Sequence, residues 1–202
     1  MSRFDQYITE ENIHIQPLPS DTRLILYRDC KKYLKLLKDK RPFYRGVFEN
    51  VEPGETLKKN VRQDRKPMGT SNKLFKRLNS WLSKNGHTRR DKAVSASSSY
   101  SAAGDFGVQY FFFPIGNFNY TWIKAKDLNE DDGRTGWSQS NIDYFFDYEK
   151  EYELAMSDEN KKQFPKWFTT NKGIEIAYKK EYEIWFDCKS YYIVNWEMGK
   201  WQ

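Results

Sequence analysis

Two histidines, His14 and His87, and two cysteines, Cys30 and Cys188, are the whole supply of imidazole and thiol in 202 residues. The cysteines have no CxxC spacing and no histidine beside them, so a zinc site is not expected and a reduced pair is the simplest reading. So few histidines also argue against a histidine triad or a histidine general base. If the chain is an enzyme, carboxylates are its expected workers and no metal is expected. No apolar run approaches the roughly 20 residues that a membrane-spanning helix needs. The first residues, MSRFDQYITEENIHIQP, hold no apolar core of a secretory signal, so the expectation is a cytoplasmic protein with no membrane partner. Internal repeats and low-complexity tracts are absent as well.

Hydrophobic residues make up only 38% of the chain, but aromatics make up 17%, and a ring buries far more area than a small aliphatic side chain. A core built largely of rings is therefore expected, in a single domain over 1–202. The net charge of +6 is unevenly placed: between Lys58 and Lys92 twelve Lys or Arg face only Asp64 and Asp91. That run suits an acidic protein face or weak contact with nucleic acid; a solvated basic helix face reads equally well.

The pattern along the chain predicts a helical lead-in at 21–38, capped by Asp21 or Thr22, then a short strand at 43–48. Residues 50–70 read as loop. SNKLFKRLNSWLSKNG (71–86) reads as a helix, with Ser71 as cap, Leu74, Phe75, Leu78, Trp81 and Leu82 on one face, and Gly86 at its end. A strand at 93–96, a short helix at 99–107, and strands at 108–116, 118–127, 181–188 and 190–198 follow. A helix around 139–156 is plausible. Helices come early and strands mostly late, which favours an α+β domain over a βαβ repeat.

One stretch breaks the aromatic, charged texture. DKAVSASSSYSAAGDFG (91–107) is almost all small or hydroxyl-bearing between Ala93 and Ala103. Small residues suit a place where backbone approaches a ligand; they equally suit tight helix–strand packing. Two other fragments carry comparable chemistry. FYRG places Arg45 beside Gly46, and EYEIWFDC places Glu181 two residues before Glu183. On a strand those two glutamates share a face.

Arginine, then a strand-borne Ser-x-Ser, then Glu-x-Glu on a late strand resembles the R-S-E class of mono-ADP-ribosyltransferases. Within the middle fragment, Ser95 is followed by Ala103 at plus eight and Phe106 at plus eleven. The Ser-Ala-Ser form of the motif is most similar to the Mod-type ADP-ribosyltransferases of T4-like phages. The resemblance covers residues 43–48, 91–107 and 181–194. Lys92 stands where many members have Asn, and Gln109 where an Arg often follows the stacking Phe. The long gap from Ser97 to Glu183 implies an insertion at 127–170.

The resemblance implies a split β-sandwich of two small, mainly antiparallel sheets with the N-terminal helices packed on it, and NAD as co-substrate. Arg45 would pair with an NAD phosphate or ribose, a task that a guanidinium fork suits. Gly46 would let the backbone approach the nicotinamide amide. Ser95 would hold the ribose and Glu183 together, Ser97 would line the same site, and Phe106 would stack on the nicotinamide ring. Glu183 would be the catalytic carboxylate, and Glu181 goes with arginine acceptors. The target would be a protein, in the phage enzymes one of the host's transcription or nucleic-acid-handling machinery, reached in the host cytoplasm. Taken without the resemblance, Glu181 and Glu183 also read as a solvated strand face, Phe106 as a core ring and Arg45 as a local ion-pair partner. Glu149, Glu151 and Glu153 form a rival cluster that reads better as helix. Three other outcomes stay open: an NAD glycohydrolase, a binding protein of the same fold without catalysis, and a nucleic-acid-binding module using basic residues among Phe75, Trp81 and Trp137.

Overall fold

The computed structural model describes residues 18–38, 40–63, 65–66, 71–128, 146 and 162–195. It is an α+β chain with two four-stranded antiparallel sheets and several helices. The described residues fall into two compact units interleaved in sequence, one drawn from Met1–Val61, Ala96–Phe118 and Cys188–Gln202, the other from Arg62–Ser95 and Asn119–Asp187. Each has its own sheet and its own aromatic core.

The first unit holds helices α1 (Ser20–Asp29) and α2 (Lys31–Leu37) and strands β1 (Tyr44–Val47) and β2 (Thr56–Asn60). To these it adds helix α4 (Tyr100–Gly104) and strands β4 (Val108–Pro114) and β8 (Ser190–Val194). Its sheet runs β1-β4-β8-β2, so β1 and β2 are the edges. The lead-in helix is two helices, because Cys30 leaves helical geometry at φ −116° and ψ 20°. Neither Asp21 nor Thr22 caps it. The helix already begins at Ser20, and the Thr22 hydroxyl instead donates to the Gly54 carbonyl at 2.7 Å. Tyr33 is fully buried, meets Phe112, Phe113 and Phe118 edge to face, and accepts the Phe43 amide proton at 3.0 Å. This is the ring-built core that the composition demands. Both cysteines are buried here as free thiols, and desolvation pushes the Cys30 thiol well above its ordinary range. Residues 50–70 are not all loop: β2 pairs with β8 from Thr56↔Val194 to Asn60↔Ser190. Its adjacent Lys58 and Lys59 fit an edge strand and hide the strand from a hydropathy reading.

The second unit holds α3 (Asn72–Lys84), β3 (Val94–Ala96), whose last residue lies at the boundary, β5 (Asn119–Ile123), β6 (Phe168–Thr170), α5 (Ile174–Lys180) and β7 (Ile184–Asp187). Its sheet runs β3-β7-β5-β6. Helix α3 starts as its sequence predicts: Ser71 caps it, its hydroxyl accepting the Leu74 amide proton at 3.2 Å. Leu74, Leu78 and Leu82 then enter a core with Ile123, Phe164, Phe168 and Trp185. After the helix Gly86 takes φ +72°, a left-handed turn that glycine adopts without strain.

Several boundaries shift, among them the strand expected at 118–127, which is Asn119–Ile123. The helix at 99–107 is only Tyr100–Gly104, β7 begins at Ile184 rather than 181, and β8 is assigned over Ser190–Val194 within the expected 190–198. The helix around 139–156 and the Glu149, Glu151 and Glu153 cluster lie outside the described residues, and of the 127–170 insertion the structure describes 127–128, 146 and 162–170. Trp137 and Asp64 lie outside them too. Among the described residues no helix is long and apolar enough to cross a membrane.

Candidate functional site

The expected site residues divide between the two units, and each group is described by itself. In the first unit, Arg45 and Gly46 sit on edge strand β1. The Phe112 amide donates to the Phe43 carbonyl at 2.8 Å, and the register runs Tyr44↔Phe111, Arg45↔Tyr110, Gly46↔Gln109. In an antiparallel ladder bonded and unbonded pairs alternate. Residues 43, 45 and 47 therefore direct their backbone groups to β4, while Tyr44 and Gly46 direct theirs outward. Tyr44 finds Ser97 there: its amide donates to the Ser97 carbonyl at 2.7 Å and its carbonyl accepts the Ser97 amide at 3.0 Å. The arginine fragment and the Ser-x-Ser fragment are thus joined by a two-bond bridge. The next outward pair is the N–H and C=O of Gly46. It is buried, and among the described residues neither group takes a hydrogen bond. Buried backbone groups without partners are rare enough to need an explanation.

Glycine at 46 has a packing reason of its own. A Cβ built there would lie 2.1 Å from the Ala103 carbonyl oxygen and 3.0 Å from the Phe106 Cβ. Glycine admits the turn after α4, so its missing side chain makes room for the protein. The same contact explains the small-residue stretch. Ala103 must be small to press on β1, and the serines tie the approach: Ser97 Oγ accepts the Ser99 amide at 3.1 Å, and Ser99 Oγ meets Ser101 Oγ at 3.0 Å. Phe106, half-buried, lies over Gly46. Arg45, one residue along the strand, directs its side chain to the opposite face of the sheet from that which α4 and Phe106 cover.

In the second unit, Glu183 is the only charged side chain buried among the described residues. Its amide donates to the Ala125 carbonyl at 2.9 Å and its carbonyl accepts the Ile123 amide at 3.1 Å, so it extends the β5–β7 ladder one step past Ile184. Opposite it, the Ala125 amide closes back on the Ile123 carbonyl at 2.8 Å, a three-residue turn that bends the chain. Leu128 then donates its amide to Glu183 Oε2 at 2.9 Å. Trp185, on the same strand face, donates Nε1 to Oε1 at 2.6 Å, and Arg90 reaches Oε1 at 3.3 Å. The Arg90 guanidinium lies 5.2 Å from the centre of the Trp185 ring. Ser95 is half-buried in β3, the sheet neighbour of β7.

Glu181 does not share this face. It caps the C-terminus of α5 in a left-handed conformation, φ 57° and ψ 35°, and its carboxylate pairs with Lys126 at 2.9 Å in the open. The expectation of two glutamates on one strand fails because β7 begins after both. The helix end at Glu181 turns the chain by one residue's worth of positive φ, which a sequence of alternating acids and rings does not announce. Sequence reasoning also missed Arg90 and Trp185. Arg90 is hidden in the basic run, where nothing distinguishes it from Arg89, whose partner is Asp91 at 2.9 Å. The basic run is partly spent on partners within the chain: Arg77 donates to the Phe146 carbonyl at 2.6 Å, Lys59 pairs with Glu49 at the surface, and Arg65 bonds the Ala93 carbonyl. On α3, Lys73, Lys76 and Lys84 remain exposed, and that helix has no acidic residue.

No protein-family model, curated protein or solved structure matches this chain.

Proposed function

We propose that this chain is an NAD-dependent mono-ADP-ribosyltransferase that moves ADP-ribose to a side chain of a target protein, an arginine first of all. The observation that carries the reading is the outward N–H and C=O of Gly46. A donor and an acceptor side by side on one residue are the complement of a primary carboxamide, whose C=O accepts and whose NH2 donates. Nicotinamide carries that group on a planar ring, and Phe106 lies over the same glycine. Arg45 beside it supplies a permanent cation for the dinucleotide's phosphate.

The second support is Glu183. A buried carboxylate is costly to keep, and one held at both oxygens is an oriented negative charge. Breaking the bond between ribose C1′ and the nicotinamide nitrogen sends the electron pair to the ring, which leaves as neutral nicotinamide. Positive charge develops on the sugar, as in glycoside cleavage, and a fixed carboxylate stabilises it. The acceptor nitrogen forms the new bond to C1′ and releases a proton. With arginine as acceptor, exposed Glu181 would orient the guanidinium in exchange for Lys126. Water in place of the acceptor would make the same chain an NAD glycohydrolase.

The exposed lysines of α3 fit an acidic face on the target or weak nucleic-acid contact. A phage-encoded effector acting on host machinery in the host cytoplasm follows from the sequence resemblance alone. The test is nicotinamide release from NAD by wild type and Glu183→Gln, with labelled NAD and a bacterial lysate as acceptor. Release with a labelled protein band, both lost in Glu183→Gln, is the expected result. Release without a band would make the chain a hydrolase, and no release from folded wild type would overturn the catalytic reading.

A further inference from the structure

Glu183 has two carboxylate oxygens, and they are not equally engaged. Oε1 accepts two donors, Trp185 Nε1 at 2.6 Å and the Arg90 guanidinium at 3.3 Å. Among the described residues Oε2 accepts one, the Leu128 amide at 2.9 Å. A carboxylate oxygen has two lone-pair directions, so Oε1 is filled and Oε2 keeps one acceptor position. Resting on the transferase reading, we propose that Arg90 is a positioning residue that, together with Trp185, fixes Glu183 so that Oε2 is the atom presented to the substrate ribose.

Arg90 is itself held for this task. It begins a single 3-10 turn, Arg90–Lys92, that follows the end of α3 by only a few residues. The next residue, Asp91, donates its amide to Asn79 Oδ1 at 3.2 Å, and Asn79 Nδ2 donates to the Phe75 carbonyl at 2.8 Å. Asn79 is buried in the middle of α3, so the turn is pinned to a helix that the core already fixes. The guanidinium then rests over the fully buried Trp185 ring, whose own N–H completes the hold on Oε1. The Trp and the backbone amide fix where the carboxylate lies; the arginine adds the charge that keeps a buried anion tolerable and resists an exchange of its two oxygens.

Arg90→Gln and Arg90→Lys test this by steady-state nicotinamide release alongside thermal melts. The expected result for Arg90→Gln is a kcat lower by up to about 100-fold, the size of loss that a misplacement of about 1 Å at the reacting group can cause. Its KM for NAD should stay within about twofold of wild type, because dinucleotide binding is assigned to other residues. Arg90→Lys, which keeps the charge but not the fork, should recover part of the lost kcat. If Arg90→Gln does not fold, the same split in Arg90→Lys decides. Unchanged kcat in a folded Arg90 variant, or a matched loss in kcat and folded fraction, would overturn the proposal while leaving the transferase reading intact. A wild type that releases no nicotinamide would overturn that reading, and the proposal with it, and is a different result.

Discussion

The two sheets treat their polar groups in opposite ways. On β1 of the first, the Gly46 N–H and C=O are left without partners among the described residues while the neighbouring Tyr44 pair is bridged to Ser97. At the head of β7 in the second, Glu183 collects donors from Trp185, Arg90 and Leu128. The Gly46 pair is fixed because the strand that carries it is fixed, and in the proposed reading it receives a ligand with matching groups. The Glu183 carboxylate is rigid for a different reason: its partners hold it at both oxygens. The contrast shows two ways in which a chain almost without histidine fixes polar groups: along the backbone of a strand, and by gathering donors on one anion.

The largest expected break falls on the second sheet. Glu183→Gln should lower kcat for nicotinamide release by about 10²- to 10³-fold, the loss seen when one fixed transition-state stabiliser is removed. NAD affinity, measured by calorimetry, should change little. Glu183→Ala is a poorer test, because it also removes the acceptor oxygens of the Trp185 and Leu128 N–H groups and costs about 1–3 kcal/mol of stability for each donor left unmet. On the first sheet, Gly46→Ala places a methyl 2.1 Å from the Ala103 carbonyl oxygen, a backbone atom that cannot swing aside. A loss of about 1–3 kcal/mol, the usual cost of overpacking, should appear as a lowered urea midpoint together with lost NAD binding.

Much of this arrangement is legible in the sequence, and the reasons for the rest are local. Helix α3 is readable to its cap because Ser71, a heptad-like run of leucines and Gly86 all agree. The rings of Tyr33, Phe112 and Phe113 are readable as core because aromatics make up so much of the chain's limited hydrophobic content. The strand β2 is not, because an edge strand with Lys58 and Lys59 on it carries no apolar alternation. The fragments FYRG and VSAS are readable as chemistry, but their union is a backbone bridge at Tyr44 and Ser97 that no side-chain pattern encodes. Glu183 is legible; its partner Arg90 is not, since one arginine among twelve basic residues is singled out only by the turn that Asn79 anchors.

Two smaller effects sharpen the comparison within the second unit. Glu181 holds a left-handed conformation that glycine adopts freely, so Glu181→Gly should raise stability by about 1 kcal/mol or less. It should also reduce transfer to arginine while NAD cleavage continues, which a gel assay beside nicotinamide release would separate. The smallest effect is a pH dependence. Burial holds the His87 imidazole below its ordinary range; its Nδ1 meets the Thr170 hydroxyl at 2.8 Å and its ring stacks on Trp81. The unfolded chain then binds the proton more readily than the folded one. Stability is full above the unfolded value of about 6.5 and falls as pH drops through the lower folded value. Melts from pH 8 to 5 should show this slope in wild type and a flatter one in His87→Gln.

The account depends most on the claim that the Gly46 edge receives a carboxamide. The direct measurement is an amide-resonance titration of the labelled protein with nicotinamide and, separately, with nicotinic acid, which keeps the ring but has no NH2 to donate to the Gly46 carbonyl. The account predicts saturable shifts at Gly46 and its neighbours Ser97 and Phe106 with nicotinamide, and much weaker ones with nicotinic acid. Equal shifts with both, or shifts that leave Gly46 untouched, would contradict it.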